Sequence, residues 1–148
     1  MKLLEASPEL AHYGQDWTRQ HAPAPRGVAL PASVDEVIEL VEWARRESIA
    51  LVPSGGRTGL SGGAVAANGE VVVSLERLNK ILEFDPVDRT LTVQAGVTTQ
   101  QVQEAAREHG LYYPVDFASR GSSHIGGNVS TNAGGIKVLR YGMTREWV

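Results

Sequence analysis

Two short stretches concentrate the backbone chemistry of this chain. Pro53-Ser-Gly-Gly-Arg-Thr-Gly-Leu-Ser-Gly-Gly63 and Gly121-Ser-Ser-His-Ile-Gly-Gly-Asn-Val-Ser-Thr-Asn-Ala-Gly-Gly135 together hold ten of the sixteen glycines, mixed with Ser, Thr and Asn. Each glycine forfeits more backbone freedom on folding than an alanine would, by about 0.5–1 kcal/mol in regular structure. Turns that need positive φ, or a ligand approached closely by backbone amides, would compensate that cost. Charge favours the ligand, and an anionic one. No Asp or Glu occurs between Pro53 and Asn68, nor from Phe117 to Arg145, although acids make up more than a tenth of the chain.

The common phosphate motifs do not describe these stretches. Neither has the Gly-Lys-Ser/Thr ending of a P-loop, and neither fits the Gly-x-Gly-x-x-Gly of a dinucleotide Rossmann turn. What remains is a pair of separated loops, rich in amide donors and hydroxyls, suited to gripping one pyrophosphate-bearing ligand from two sides. Arg57 could neutralise phosphate charge or hold its own loop by bonding carbonyls. His124 stands alone, with no second His or Glu at ligand spacing, so a loop-packing role is expected and no metal site is predicted. His12, His21 and His109 have no partner pattern, and His109 next to Gly110 reads as the cation at a helix end.

Composition narrows the classes. The 148 residues suffice for one domain with its own core, and 14 basic against 17 acidic side chains give a net charge of −3 with no basic field for nucleic acid. Absence of cysteine excludes disulfides, thiolate metal sites and cysteine nucleophiles. Met1 to His12 lacks the pattern of a secretory signal, and no apolar run approaches ~20 residues, so a soluble cytoplasmic chain without a transmembrane segment is expected.

The elements that must carry the loops follow from periodicity. Residues 1–25, ending in His21-Ala-Pro-Ala-Pro25, read as an irregular or partly helical strap. Ser33-Val-Asp-Glu36 has the capping-box pattern, and Val34, Val37, Ile38 and Val41 follow at helical spacing. Ile49–Val52 then predicts a short strand feeding the first glycine loop, and Val71–Leu75 a second strand. Ile81–Phe84 and Thr90–Ala95 flank Asp85-Pro-Val-Asp88 as a hairpin. Thr98-Thr-Gln-Gln101 opens a helix over 99–109. In the second window, Ser122, Ser123 and Thr131 are candidates to cap a short helical turn whose amides face a ligand.

Taken together, the two windows carry a resemblance. The first is similar to the pyrophosphate loop of FAD-linked oxidases related to vanillyl-alcohol oxidase, whose flavin domain is shared with p-cresol methylhydroxylase. Pro114-Val-Asp-Phe-Ala-Ser-Arg-Gly121 running into the second window, with Leu139-Arg-Tyr-Gly142 beyond it, resembles the D-2-hydroxyglutarate, D-lactate and glycolate dehydrogenase branch. The likeness runs from about Arg26 to the C-terminus, with the loops about sixty residues apart. It implies an α+β fold: the N-terminal part of a p-cresol-methylhydroxylase-type FAD-binding domain, with a small mainly parallel sheet plus helices, then the start of a second α/β subdomain. The expected layout is a strap over 1–25 and the FAD-binding domain over 26–148.

The resemblance also implies roles. Pro53, Ser54, Gly55, Gly56, Arg57, Thr58 and Gly59 would meet the pyrophosphate, with Leu60, Gly62 and Gly63 completing the loop. Pro114, Gly121, Ser122, Ser123, Gly126, Gly127 and Asn128 would line the flavin, with Thr131, Asn132, Gly134 and Gly135 close behind. Where some relatives tether flavin through a histidine, Arg57 stands here, so noncovalent FAD is implied. Catalytic residues and a substrate domain are expected downstream of Val148. The implied parent reaction is hydride transfer from a small D-2-hydroxy acid to flavin, with electrons leaving to an external acceptor. A noncatalytic nucleotide-binding fragment and a flavin reductase using a nicotinamide donor are the alternatives. A sheet edge left exposed by truncation is expected to favour homo-oligomers.

Overall fold

The chain is described here by a computed structural model over residues 3–5 and 8–148, which form two compact units, Met1–Leu78 and Asn79–Val148. The first unit is built on a four-stranded sheet. Its strands are β1 (Leu3–Leu4), β2 (Gly27–Ala29), β3 (Leu51–Ser54) and β4 (Val71–Ser74), in the order β1-β2-β4-β3. β1 runs antiparallel to β2, while β2, β4 and β3 are mutually parallel. The mainly parallel sheet expected from the sequence is therefore present. The strap is partly helical, as expected, with a short helix α1 (Leu10–Tyr13), and it also contributes β1. Both β1 and β2 escaped the sequence reading because two or three residues show no period.

Side-chain alternation gives the sheet two apolar faces. Val28, Leu30 and Val72 point to one side with Ala66; Ala29, Val71 and Val73 point to the other, where Leu40 of helix α2 (Val34–Arg46) covers them. The Ser33 hydroxyl accepts from the Glu36 amide at the start of α2, and the Glu36 carboxylate accepts from the Ala32 amide. β2 steps over to β3 through α2, and β3 then steps back to β4. A step back must cross on the opposite face if both connections are to be right-handed. Residues 55–70, which include the first glycine window, make that second crossing, with Ala66 buried against Val28 and Val72.

Three of the four apolar residues that identified α2 lie off its core face. Val34, Ile38 and Val41 are 64%, 51% and 50% exposed, whereas Leu40 and Ala44 are buried, with Trp43 packed beside them. The helix carries two apolar arcs, and spacing alone does not say which one meets the sheet.

The second unit starts with the expected hairpin, β5 (Ile81–Asp85) and β6 (Thr90–Val93), with a register shift between Ile81 and Glu83. Asp85 closes its turn by accepting from the Val87 and Asp88 amides. Helix α3 (Thr99–Glu108) has the predicted capping box, with Thr98 and Gln101 satisfying each other's backbone amides. Gly110 follows its C-cap, His109, at φ +70°, and the His109 ring stacks on Phe84 at 3.7 Å. Two short helices, α4 (Ile125–Thr131) and α5 (Val138–Tyr141), and a 3-10 turn at Thr144–Trp147 complete the unit.

Leu40→Ala should cost about 2–5 kcal/mol of unfolding free energy as a core truncation. Ile38→Gln, on the exposed arc, should cost less than about 1 kcal/mol. Equal losses in chemical denaturation would contradict this assignment of the two arcs.

Candidate functional site

The first glycine loop leaves the carboxyl end of β3, the end at which ligands bind in parallel α/β sheets. Ser54 is fully buried, its carbonyl accepting from the Leu75 amide and its hydroxyl 3.5 Å from the Tyr13 carbonyl. Beyond it the pairing stops. Among the described residues, no backbone N–H from Gly55 to Ser61 donates to a protein acceptor, and the run is partly or fully exposed. Such a run of donors suits an oxyanion, which can take several amides at once. Arg57 sits at φ 56°, donates to the Gly55 carbonyl at 3.2 Å and lies over the Tyr13 ring at 5.0 Å. Its guanidinium thus braces the loop, the second of the two roles open in the sequence.

The far end of the loop is held from the strap. The Asp16 carboxylate, 4% exposed, accepts from the Gly62 amide at 3.1 Å and from the Thr18 hydroxyl at 2.6 Å. The Trp17 amide donates to the Gly59 carbonyl, and the Ala66 amide to the Gly14 carbonyl. The Thr18 hydroxyl first, with the amides of Gly62, Thr18 and Arg19, holds the Asp16 carboxyl below the usual range. Asp16 escaped sequence reasoning because the strap has no period and the glycine windows themselves are free of acids.

The second window is more committed to its own fold. Ser123 and Asn128 are buried and bonded to each other through their side chains, and Asn128 Nδ2 also donates to Thr99 Oγ1 at 2.6 Å. Pro114 is fully buried. The expectation for the helical turn needs correction. His124, not Ser122 or Ser123, is the N-cap of α4, and the first two amides of α4 donate to the Val97 and Ala95 carbonyls rather than pointing outward. Thr131 lies at the other end, its hydroxyl donating to the Gly127 carbonyl. Asn132 ends the helix at φ 49°. Gly121, Ser122, Gly127 and Thr131 remain exposed.

Glycines divide by what a side chain would meet. A Cβ on Gly126 would lie 2.7 Å from the Ala95 Cβ, and one on Gly135 would lie 2.0 Å from the Asp116 carbonyl oxygen, so close packing requires both. A Cβ on Gly134 would meet Met143 and Val138 only at ordinary distance, and one on Gly121 would meet the Gln100 side chain. Gly59, Gly63 and Gly127 have open space where a Cβ would be and no left-handed φ. The fold itself makes no use of their missing side chains. A ligand lying against the backbone would, and these positions fit one.

Behind this window, Asp116 pairs with Lys137 at 2.9 Å and Arg120 at 3.2 Å, and the Lys137 ammonium also donates to the Tyr112 hydroxyl. Lys137 holds the Asp116 carboxyl below its ordinary value; Tyr112, then Asp116, raise the Lys137 ammonium. Lys137 is therefore bound within its own unit.

A family model described as an FAD binding domain matches residues 25–148. The chain belongs to the FAD binding domain family. This domain is 65% identical over its full length to D-2-hydroxyglutarate dehydrogenase of Xanthomonas citri pv. viticola, covering 31% of that protein. It is 60% identical over 99% of its length to D-2-hydroxyglutarate dehydrogenase of Stutzerimonas stutzeri, covering 32% of it. Glycolate oxidase subunit GlcD of Bacillus subtilis is 38% identical over 92% of the chain, covering 29% of that protein. The chain thus spans about a third of the length of the curated relatives it matches. A solved alkyldihydroxyacetonephosphate synthase structure shares the fold, with a TM-score of 0.84 at 23% identity over 97% of this chain and 31% of that one. Among the described residues, no helix of this domain is long and apolar enough to cross a membrane.

Two neighbouring glycines should respond oppositely to alanine. Gly126→Ala should lower the melting temperature through its contact with Ala95. Gly127→Ala, in open space on α4, should gain up to about 1 kcal/mol from helix propensity. Losses of equal size would show that Gly127 is also packed.

The Lys137→Met destabilisation should depend on pH in a defined direction. Asp116 has a lowered folded pKa, so its pairing contributes above the ordinary carboxylate value of 3.8 and is lost as pH falls through the lower one. The wild-type advantage in urea unfolding should therefore shrink on acidification, and an advantage that grows would contradict the pairing.

Proposed function

We propose that this domain is the cofactor-holding part of a flavin-dependent dehydrogenase that oxidises a D-2-hydroxy acid, with D-2-hydroxyglutarate the first substrate to test. The observation that carries the cofactor half is the run of unpartnered amides from Gly55 to Ser61 at the carboxyl edge of parallel strands. The substrate half rests on two relatives of at least 60% identity, both named D-2-hydroxyglutarate dehydrogenase.

In this reading the amides of Gly55–Ser61 receive the FAD pyrophosphate, with Gly59 and Gly63 leaving the backbone bare for its approach. In the second window, Gly121, Ser122, Gly127, Thr131 and Asn132 are the proposed flavin contacts. Ser54, Pro114, Ser123 and Asn128, being buried, support those contacts from behind. Flavin, when bound, accepts the hydride from the α-carbon of the hydroxy acid. FAD is held without a covalent tether, the FAD-binding domain runs over 26–148 behind the strap 1–25, and the protein works in the cytoplasm. Substrate-binding groups, the base for the hydroxyl proton and the docking of an external electron acceptor belong to the remaining length of the relatives. Self-association remains part of the proposal.

Purified chain should quench FAD fluorescence on titration, and Gly59→Ala and Gly127→Ala should weaken that binding at least tenfold without lowering the melting temperature of the flavin-free protein. In the full-length parent, D-2-hydroxyglutarate should bleach the flavin absorbance under anaerobic conditions. Bleaching by NADPH alone would assign a reductase, and unchanged FAD affinity in both glycine variants would remove these positions from the site.

A further inference from the structure

We propose that Asp16, which precedes the stretch matched to the family, is a positioning residue for the cofactor loop; the inference rests on the FAD reading above. The loop is tied at its start by the Ser54 carbonyl in the sheet, and its far end is tied by Asp16. The two oxygens of that carboxylate have separate tasks. Oδ1 takes the strap's own donors: the Thr18 amide at 2.9 Å, the Thr18 hydroxyl at 2.6 Å and the Arg19 amide at 3.2 Å. Oδ2 takes the Gly62 amide at 3.1 Å. Gly62 has φ +78°, a conformation that needs an external hold because glycine adopts many others at little cost. The neighbouring Trp17 amide secures the Gly59 carbonyl, so the strap grips the loop at two points three residues apart.

Electrostatics argues against a carboxylate here on any other ground. A buried negative charge beside a loop that receives a diphosphate repels it, and asparagine would close the strap's turn equally well. Asparagine offers one acceptor oxygen. Only a carboxylate serves the strap and Gly62 together. Asp16 therefore trades some anion affinity for a fixed loop, which keeps the Gly55–Ser61 amides presented without reorganisation when the cofactor arrives.

Asp16→Asn tests this, because its amide oxygen can keep the Oδ1 bonds while its NH2 group faces the Gly62 N–H. The variant should melt close to wild type when flavin-free, bind FAD at least tenfold more weakly in fluorescence titration, and show faster hydrogen exchange over residues 59–63. FAD affinity equal to or tighter than wild type would overturn the proposal, since charge removal alone predicts tighter binding. Should the variant fail to fold, exchange in the wild-type chain decides: Gly62 must be protected while Leu60 and Ser61 exchange freely, and equal rates would overturn the assignment. A wild-type chain that binds no FAD would count against the cofactor reading, and the exchange data would still judge the hold on Gly62.

Discussion

Parallel neighbours cannot be joined by a tight turn, and that constraint shapes the whole first unit. β3 and β4 lie side by side and point the same way, so the chain must travel back across the sheet between them. In most α/β units a helix makes that return and satisfies its own backbone. Here residues 55–70 make it without a helix or strand, and the stretch from Gly55 to Ser61 arrives at the carboxyl edge with its donors uncommitted. Free amides are expensive when buried and useful when a ligand completes them. The strap, the Arg57 brace and the Asp16 carboxylate all serve to hold a segment that has no regular structure of its own.

The second unit solves a different problem. Its glycine window folds into α4 and packs against residues 95–99 so closely that Gly126 has no room for a side chain. Thr99, Ser123 and Asn128 form a buried polar cluster that pins α4 to the start of α3, and buried hydrogen bonds of this kind specify one arrangement. Many residues that look like ligand contacts by type are thus structural by position. Those with open surface, Gly127 above all, are the ones on which the proposed cofactor contacts draw.

Much of this was legible in the sequence. The capping box at Thr98 and Gln101 fixed the start of α3, the turn residues at Asp85-Pro-Val-Asp88 fixed the hairpin, and the first acid-free glycine window marked the loop after β3. Other features were hidden for physical reasons. β1 and β2 are too short to show alternation, and their identity comes from pairing with each other and with β4. α2 has two apolar arcs, so Val34, Ile38 and Val41 pointed to the right helix and the wrong face. α4 contains adjacent glycines that disfavour a helix, and its N-terminal amides are absorbed by carbonyls from another segment. Asp16 acts through a contact forty-six positions away in sequence, and no local pattern announces it.

We propose that the loop amides the fold leaves unpaired are the ones that meet the cofactor. Backbone NMR of the isotope-labelled chain during FAD titration tests it most directly. Large amide shifts are expected at Gly55–Ser61, accompanied by shifts at Gly121, Ser122 and Gly127, with the hairpin β5–β6 unmoved. Saturable FAD binding that leaves the Gly55–Ser61 amides in place would contradict it.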